Sequence, residues 1–182
     1  ILSELEKIDN LMLPGDKKEI SLELVSSEKS NGQIDLNALD ILNEPHGTSF
    51  HHYWFYKLEY LLWKTWDKND NKVKQFRITS KNSVEHVFPQ NHEFGNKLTN
   101  TEFDWLNSFG NLGLLSVGEN SSYNNQDVRK KKVDFDNKST YDSLKLAKVY
   151  SSQDINSWRT ENIKKHKDEM ITTLQQHYIT AE

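Results

Sequence analysis

Three short stretches of this sequence hold polar, chemistry-bearing side chains at defined spacing. Ser83–Gln90 (SVEHVFPQ) sets Glu85 beside His86 in an otherwise apolar run stopped by Pro89. Gly110–Ser116 (GNLGLLS) carries Asn111, and Asn120 follows nine positions later. Asn125, Val128 and Lys131 then stand 5, 8 and 11 positions beyond Asn120. An imidazole exchanges a proton near neutral pH, and carboxylate or carboxamide oxygens can hold a hard metal ion. Cysteine is absent. Disulfides, thiolate zinc sites and cysteine nucleophiles are therefore excluded. Any metal must be held by His, Asp, Glu, Asn or water, which favours a hard divalent ion, Mg²⁺ before Mn²⁺. Neighbouring strand residues point to opposite faces, so Glu85 and His86 cannot both enter one core. Taken alone, the pair reads more simply as a half-exposed edge strand.

The elements that must position these residues are mostly helical. Trp54, Leu58, Leu61, Leu62 and Thr65 recur at helical spacing and draw one apolar stripe over about 50–66, read as core. Weak alternation suggests a short strand at Val73–Thr79; Val84–Phe88, stopped by Pro89, is a second strand candidate, and Leu112–Val117, after Gly110-Asn111, a third. A short helix is expected at Thr101–Asn107 with Thr101 as its cap. Gly118-Glu119-Asn120 should turn the chain, and Asn125–Phe135 should start another helix. Helices at about Thr140–Val149 and Ser152–Tyr178 follow, the last burying Ile155, Trp158, Ile163, Met170, Ile171 and Leu174 on one face. Earlier, residues 1–13 read as the end of a helix closed by Pro14-Gly15, Ser26–Gln33 as a surface loop, and Asp35–Leu42 as a short helix ending before Pro45.

Composition narrows the class. The chain has 182 residues, 35% hydrophobic and 27% charged, yet 11% aromatic with five Trp, so it can build a ring-rich core despite its polarity. No apolar run approaches the roughly 18 residues of a membrane span. The opening Ile1-Leu2-Ser3-Glu4 has neither a signal-peptide pattern nor an initiator Met. A cytoplasmic fragment of a longer protein is expected. The net charge of −4 counts against nucleic-acid binding, but Arg129-Lys130-Lys131-Lys132 form a basic run, followed by Lys138, Lys145 and Lys148. Such a run is either a solvated helix face or a phosphate-binding one. Walker-type glycine loops, Gly-x-Ser-x-Gly elbows and His-Glu-x-x-His motifs are all missing.

The three stretches together, Glu-His-hydrophobic-x-Pro-Gln, Gly-Asn-Leu-x-Leu-Leu and Asn-x₄-Asn-x₂-hydrophobic-x₂-Lys, resemble the HNH nuclease domain at the C-terminus of GmrSD-type restriction endonucleases. These are modification-dependent phage-defence enzymes. Tyr141, Ser143, Trp158 and Ile163 fall where that family has its Tyr, Ser, Trp and Ile, and the resemblance spans about residues 50–178. It implies an α+β, mostly α fold, with a ββα-metal hairpin and helix embedded in a helical bundle. It assigns His86 as the general base that deprotonates water, and Glu85 and Asn120 as ligands of one divalent cation. Asn111 would complete the catalytic set by bracing the loop beside His86 from the second strand. Arg129, Lys130, Lys131, Lys132 and Asn125 become candidate DNA contacts, with Lys131 open between a phosphate contact and a solvated face. His92 is either an exposed loop residue or an aid to the metal. His166 stands where the family has Arg, a departure that questions one phosphate or structural contact.

The resulting expectation is a connecting segment over 1–48 and a nuclease domain over 49–182. That domain would be a metal-dependent DNA endonuclease in restriction or antiphage defence. Its partners would be DNA, including modified phage DNA, and a nucleotide-using N-terminal domain of the same protein. The alternative is a catalytically weak DNA-binding or protein-interaction module that keeps the fold. A helical adaptor would leave Glu85-His86 unexplained.

Overall fold

The computed structural model describes residues 2–11, 36–90, 105–123, 125–153 and 155–179. The chain divides into two compact units, Ile1–Ile41 with Gln175–Glu182 and Leu42–Leu174. Within the first unit, α1 (Leu2–Leu11) is the helix expected at the start of the chain. Pro14-Gly15, the 26–33 loop, His92 and the Thr101 cap lie outside the described residues. Among the described residues, no helix is long and apolar enough to cross a membrane.

The second unit is α+β and mostly helical. The 3₁₀ segment Leu36–Asn43, which belongs to the first unit up to Ile41, falls on the short helix expected near 35–42. Helix α2 (His52–Thr65) buries Trp54, Leu58, Leu61 and Leu62 as its stripe requires. Thr65 does not join them; it stays exposed and its hydroxyl donates back to Leu61 O at 2.8 Å. Asp70 then accepts Lys72 N at 2.7 Å and caps a short helix, α3 (Asn71–Lys74). This cap overrides the weak alternation over 73–79, so no strand forms there. Only Phe76 makes a bridge, parallel to Tyr141.

Strands β1 (Ser83–His86) and β2 (Leu112–Leu115) pair antiparallel, with Glu85 opposite Gly113 and His86 opposite Leu112. Helix α4 (Val117–Tyr123) follows at once, so Gly118-Glu119-Asn120 lie inside a helix and not in a turn. Asp127 caps α5 (Val128–Asp136) through Arg129 N, which moves its start past Asn125. Ser143 caps α6 (Leu144–Tyr150) through Leu146 N.

The long helix expected from 152 is broken. A 3₁₀ turn at Ile155–Ser157 precedes α7 (Thr160–Ile179). The break turns Trp158 inward, where it is 3% exposed and joins a core containing Val87, Phe88, Leu115, Phe135 and Tyr150. A continuous helix would have fixed its side chain by its register alone.

Candidate active site

The site forms where β1 ends. Glu85 and His86 are only 7% and 6% exposed, yet both line a cleft with Asn120, Asn125, Gln90 and Thr48. Helix α4 brings Asn120 to the same cleft. Asn120 Nδ2 donates to Ser83 Oγ at 2.6 Å, which fixes the amide and leaves its oxygen as an acceptor.

Asn111 is fully buried and does not reach the cleft. It sits in a 3₁₀ turn (Phe109–Asn111) just before β2, one position ahead of the strand on which sequence placed it. Its Nδ2 donates to Phe88 O at 3.2 Å and Leu106 O at 2.9 Å. Its Oδ1 accepts Phe88 N at 2.8 Å and Trp158 Nε1 at 3.2 Å. Phe88 follows His86 by two residues, so these bonds hold the chain as it leaves the site. Gly110 before it has no room for a side chain: a Cβ would stand 2.1 Å from Ile163 O and 2.9 Å from Lys167 N.

Lys131 differs from the expectation of a phosphate contact or a solvated face. It is 0% exposed, and Nζ donates to Glu85 Oε1 at 2.5 Å and to His86 O at 2.7 Å. A helix sends successive residues about 100° apart. Lys131 therefore points inward while Arg129 and Lys130 are exposed and Lys132 is half-buried. Arg129 pairs with Asp127 and Lys132 with Asp136 on the outer side of α5. Asn125 is exposed at the cleft.

Burial sets the electrostatics. It pushes the Glu85 carboxyl above its ordinary range, with Lys131 pulling it back down. It pulls Lys131 below its own ordinary range, against the attraction of Glu85. His86 is lowered by burial first and by the Lys131 charge after it, with the Asn107 hydrogen bond working in the other direction. The imidazole is thus held neutral, the form able to accept a proton.

Two supporting residues carry no motif of their own. Glu59 on α2 is 4% exposed and accepts Ser143 Oγ at 2.5 Å and Leu144 N at 2.6 Å, anchoring the start of α6. From α6, the buried Lys145 Nζ reaches Phe109 O at 2.8 Å and Leu112 O at 2.5 Å, on either side of Asn111. Burial brings the Lys145 ammonium down to about 7. A charged residue inside an apolar stripe was the available signal for Glu59; Lys145 looked like one more surface lysine. His166 is buried against Trp158, ring centroids 5.9 Å apart, so in this chain the position faces the interior.

Among the described residues, no three His, Asp or Glu side chains gather to hold a metal ion. A cation at this cleft would rest on the Glu85 carboxylate and the Asn120 carboxamide oxygen, completed by water and substrate oxygens. That set suits a hard ion such as Mg²⁺, which keeps several waters and takes few protein ligands.

The family model described as the C-terminal domain of GmrSD restriction endonucleases matches residues 38–173. Neither the curated proteins nor the solved structures contain a match to the chain.

Proposed function

Because this chain belongs to the family of GmrSD restriction endonuclease C-terminal domains, we propose that its cleft hydrolyses DNA phosphodiesters by an HNH-type mechanism. The observation that carries this reading is the convergence of Glu85, His86 and Asn120 on one cleft, from β1 and from the helix after β2. In this mechanism the neutral His86 imidazole takes a proton from water. The oxygen of that water attacks phosphorus, the bond to the 3′ oxygen breaks, and the leaving oxygen is protonated from solvent. Glu85 and Asn120 would hold the divalent cation, which when bound polarises the phosphate and offsets charge on the leaving oxygen.

Lys131 orients this arrangement from beneath. It neutralises part of the Glu85 charge and pins the His86 carbonyl, so both side chains project from a fixed strand end. Arg129, Lys130, Lys132 and Asn125 would meet the backbone of the bound duplex. Such contacts position DNA without reading its sequence, so the choice of modified or plain DNA would fall to the rest of a larger protein.

The test is supercoiled-plasmid nicking by the 182-residue chain with Mg²⁺ or Mn²⁺, comparing wild type with His86→Ala. Metal-dependent nicking that disappears in the variant is the expected result. Nicking that persists without His86 removes the assigned base. A second reading, a binding module that retains the fold, is favoured by one observation: Glu85 already has Lys131 as its counter-charge and needs no metal. DNA binding without metal-dependent cutting, in this chain and in a longer protein containing it, would select that reading.

A further inference from the structure

No motif points to Asn107, yet its side chain meets the candidate base. Its Oδ1 lies 3.1 Å from His86 Nε2. An amide oxygen can only accept, so this contact requires the hydrogen on Nε2. Gln90 Nε2 lies 3.5 Å from the same ring nitrogen and would ask it to accept instead. The two demands are incompatible in a neutral ring. The shorter contact wins, because hydrogen bonds weaken toward 3.5 Å, and because Gln90 is exposed and free to turn to water.

Asn107 is itself seated. Its backbone oxygen accepts Gly47 N at 2.9 Å. Gly47 has φ +56, a left-handed conformation natural to glycine. A Cβ there would stand 2.8 Å from Asn107 Oδ1 and 3.1 Å from its Cγ. The absent side chain is what gives the Asn107 amide its room beside His86.

We propose that Asn107, seated on Gly47, is a positioning residue that fixes His86 as its Nε2–H tautomer and makes Nδ1 the proton acceptor. This rests on the reading of His86 as the base. It goes beyond that reading in naming the reacting nitrogen and the residues that select it. The logic is general: a fixed acceptor on one ring nitrogen decides which proton the other can take.

The test is nitrogen-15 histidine NMR on the 182-residue chain at about pH 8, where an ordinary imidazole is neutral, run beside plasmid nicking. The His86 signal is assigned by its loss in His86→Gln. Wild type should show the proton on Nε2. Asn107→Leu should mix or invert the tautomers and slow nicking by roughly 10- to 100-fold at unchanged DNA affinity, below the full value of a general base. Asn107→Asp, which keeps an accepting oxygen, should retain the Nε2–H pattern. Gly47→Ala should shift the pattern in the direction of Asn107→Leu. A wild-type proton on Nδ1, or an Asn107→Leu spectrum that keeps the Nε2–H pattern, would overturn the proposal. Should Asn107→Leu not fold, the wild-type spectrum and Gly47→Ala decide it. If neither this chain nor a longer protein containing it nicks DNA, the nuclease reading fails, while the spectra still decide whether Asn107 selects the tautomer.

Discussion

Trp158 donates its indole Nε1–H to Asn111 Oδ1 at 3.2 Å, tying residues 47 positions apart into one buried bond. Trp158→Phe keeps most of the ring and deletes the donor. It should cost roughly 1–3 kcal/mol, since Asn111 Oδ1 retains only Phe88 N. Asn111→Ala also strands the oxygens of Phe88 and Leu106 and should cost more, on the order of 3–5 kcal/mol. Urea denaturation of both variants measures the difference. Equal losses would mean that the bond network is not what holds the turn.

Lys131→Met leaves the Glu85 carboxylate buried without its counter-charge. Breaking a buried pair by removing one member typically costs about 3–5 kcal/mol. Glu85→Gln combined with Lys131→Met removes both charges and should recover much of that loss. A double-mutant cycle by chemical denaturation supplies the coupling. Additive losses would show that the 2.5 Å contact contributes little to the folded state.

Stability should fall as pH drops below neutrality, partly through His166. Burial, followed by the Lys145 and Lys148 charges, holds its imidazole well below the ordinary range, so the folded chain keeps it neutral while the unfolded chain takes up a proton. Its contribution is complete above about 6.5 and is lost as pH falls from there toward the lower folded value. His166→Phe should flatten the stability profile in this window by up to about 1.4 kcal/mol per pH unit. Thermal or urea unfolding at a series of pH values reads the slope, and parallel profiles for variant and wild type would remove His166 as the cause.

The outer side of α5 should govern the salt dependence of DNA binding. Arg129→Ala, Lys130→Ala and Lys132→Ala should each weaken binding on any sequence. Each should lower the slope of log affinity against log salt by about 1. Binding assays at several salt concentrations check this. Slopes that do not change would move the duplex to another face.

The spacing of the polar residues was easier to read in the sequence than the architecture around them. Spacing brought Glu85, His86, Asn111 and Asn120 into consideration together, and the short runs bounded by Pro89 and by Gly110-Asn111 located both β1 and β2. The strand expected at 73–79 failed because one side-chain cap, Asp70, outweighs a weak period of two. The inward turn of Lys131 was hidden in a run of four basic residues, where only helix phase separates the buried member from its neighbours. The partners of Asn111 and His86, Trp158 and Asn107, sit too far along the chain for any local pattern to pair them. Glu59 and Lys145 were missed for the same reason: their charges are satisfied only by elements distant in sequence.

Gly110 lies against the α7 backbone so closely that even a methyl group would meet Ile163 O. The seat of Asn111 is therefore completed by residues 158–167, near the C-terminal end of the second unit, which runs to Leu174. A ribosome-bound chain that already contains Glu85, His86 and Asn120 still lacks the wall that holds their loop in place. Under the proposed nuclease reading, chains halted before Trp158 should cut nothing, and cutting should arise only once α7 emerges. For a domain of a DNA-cutting family, the order of synthesis would then act as a safety delay.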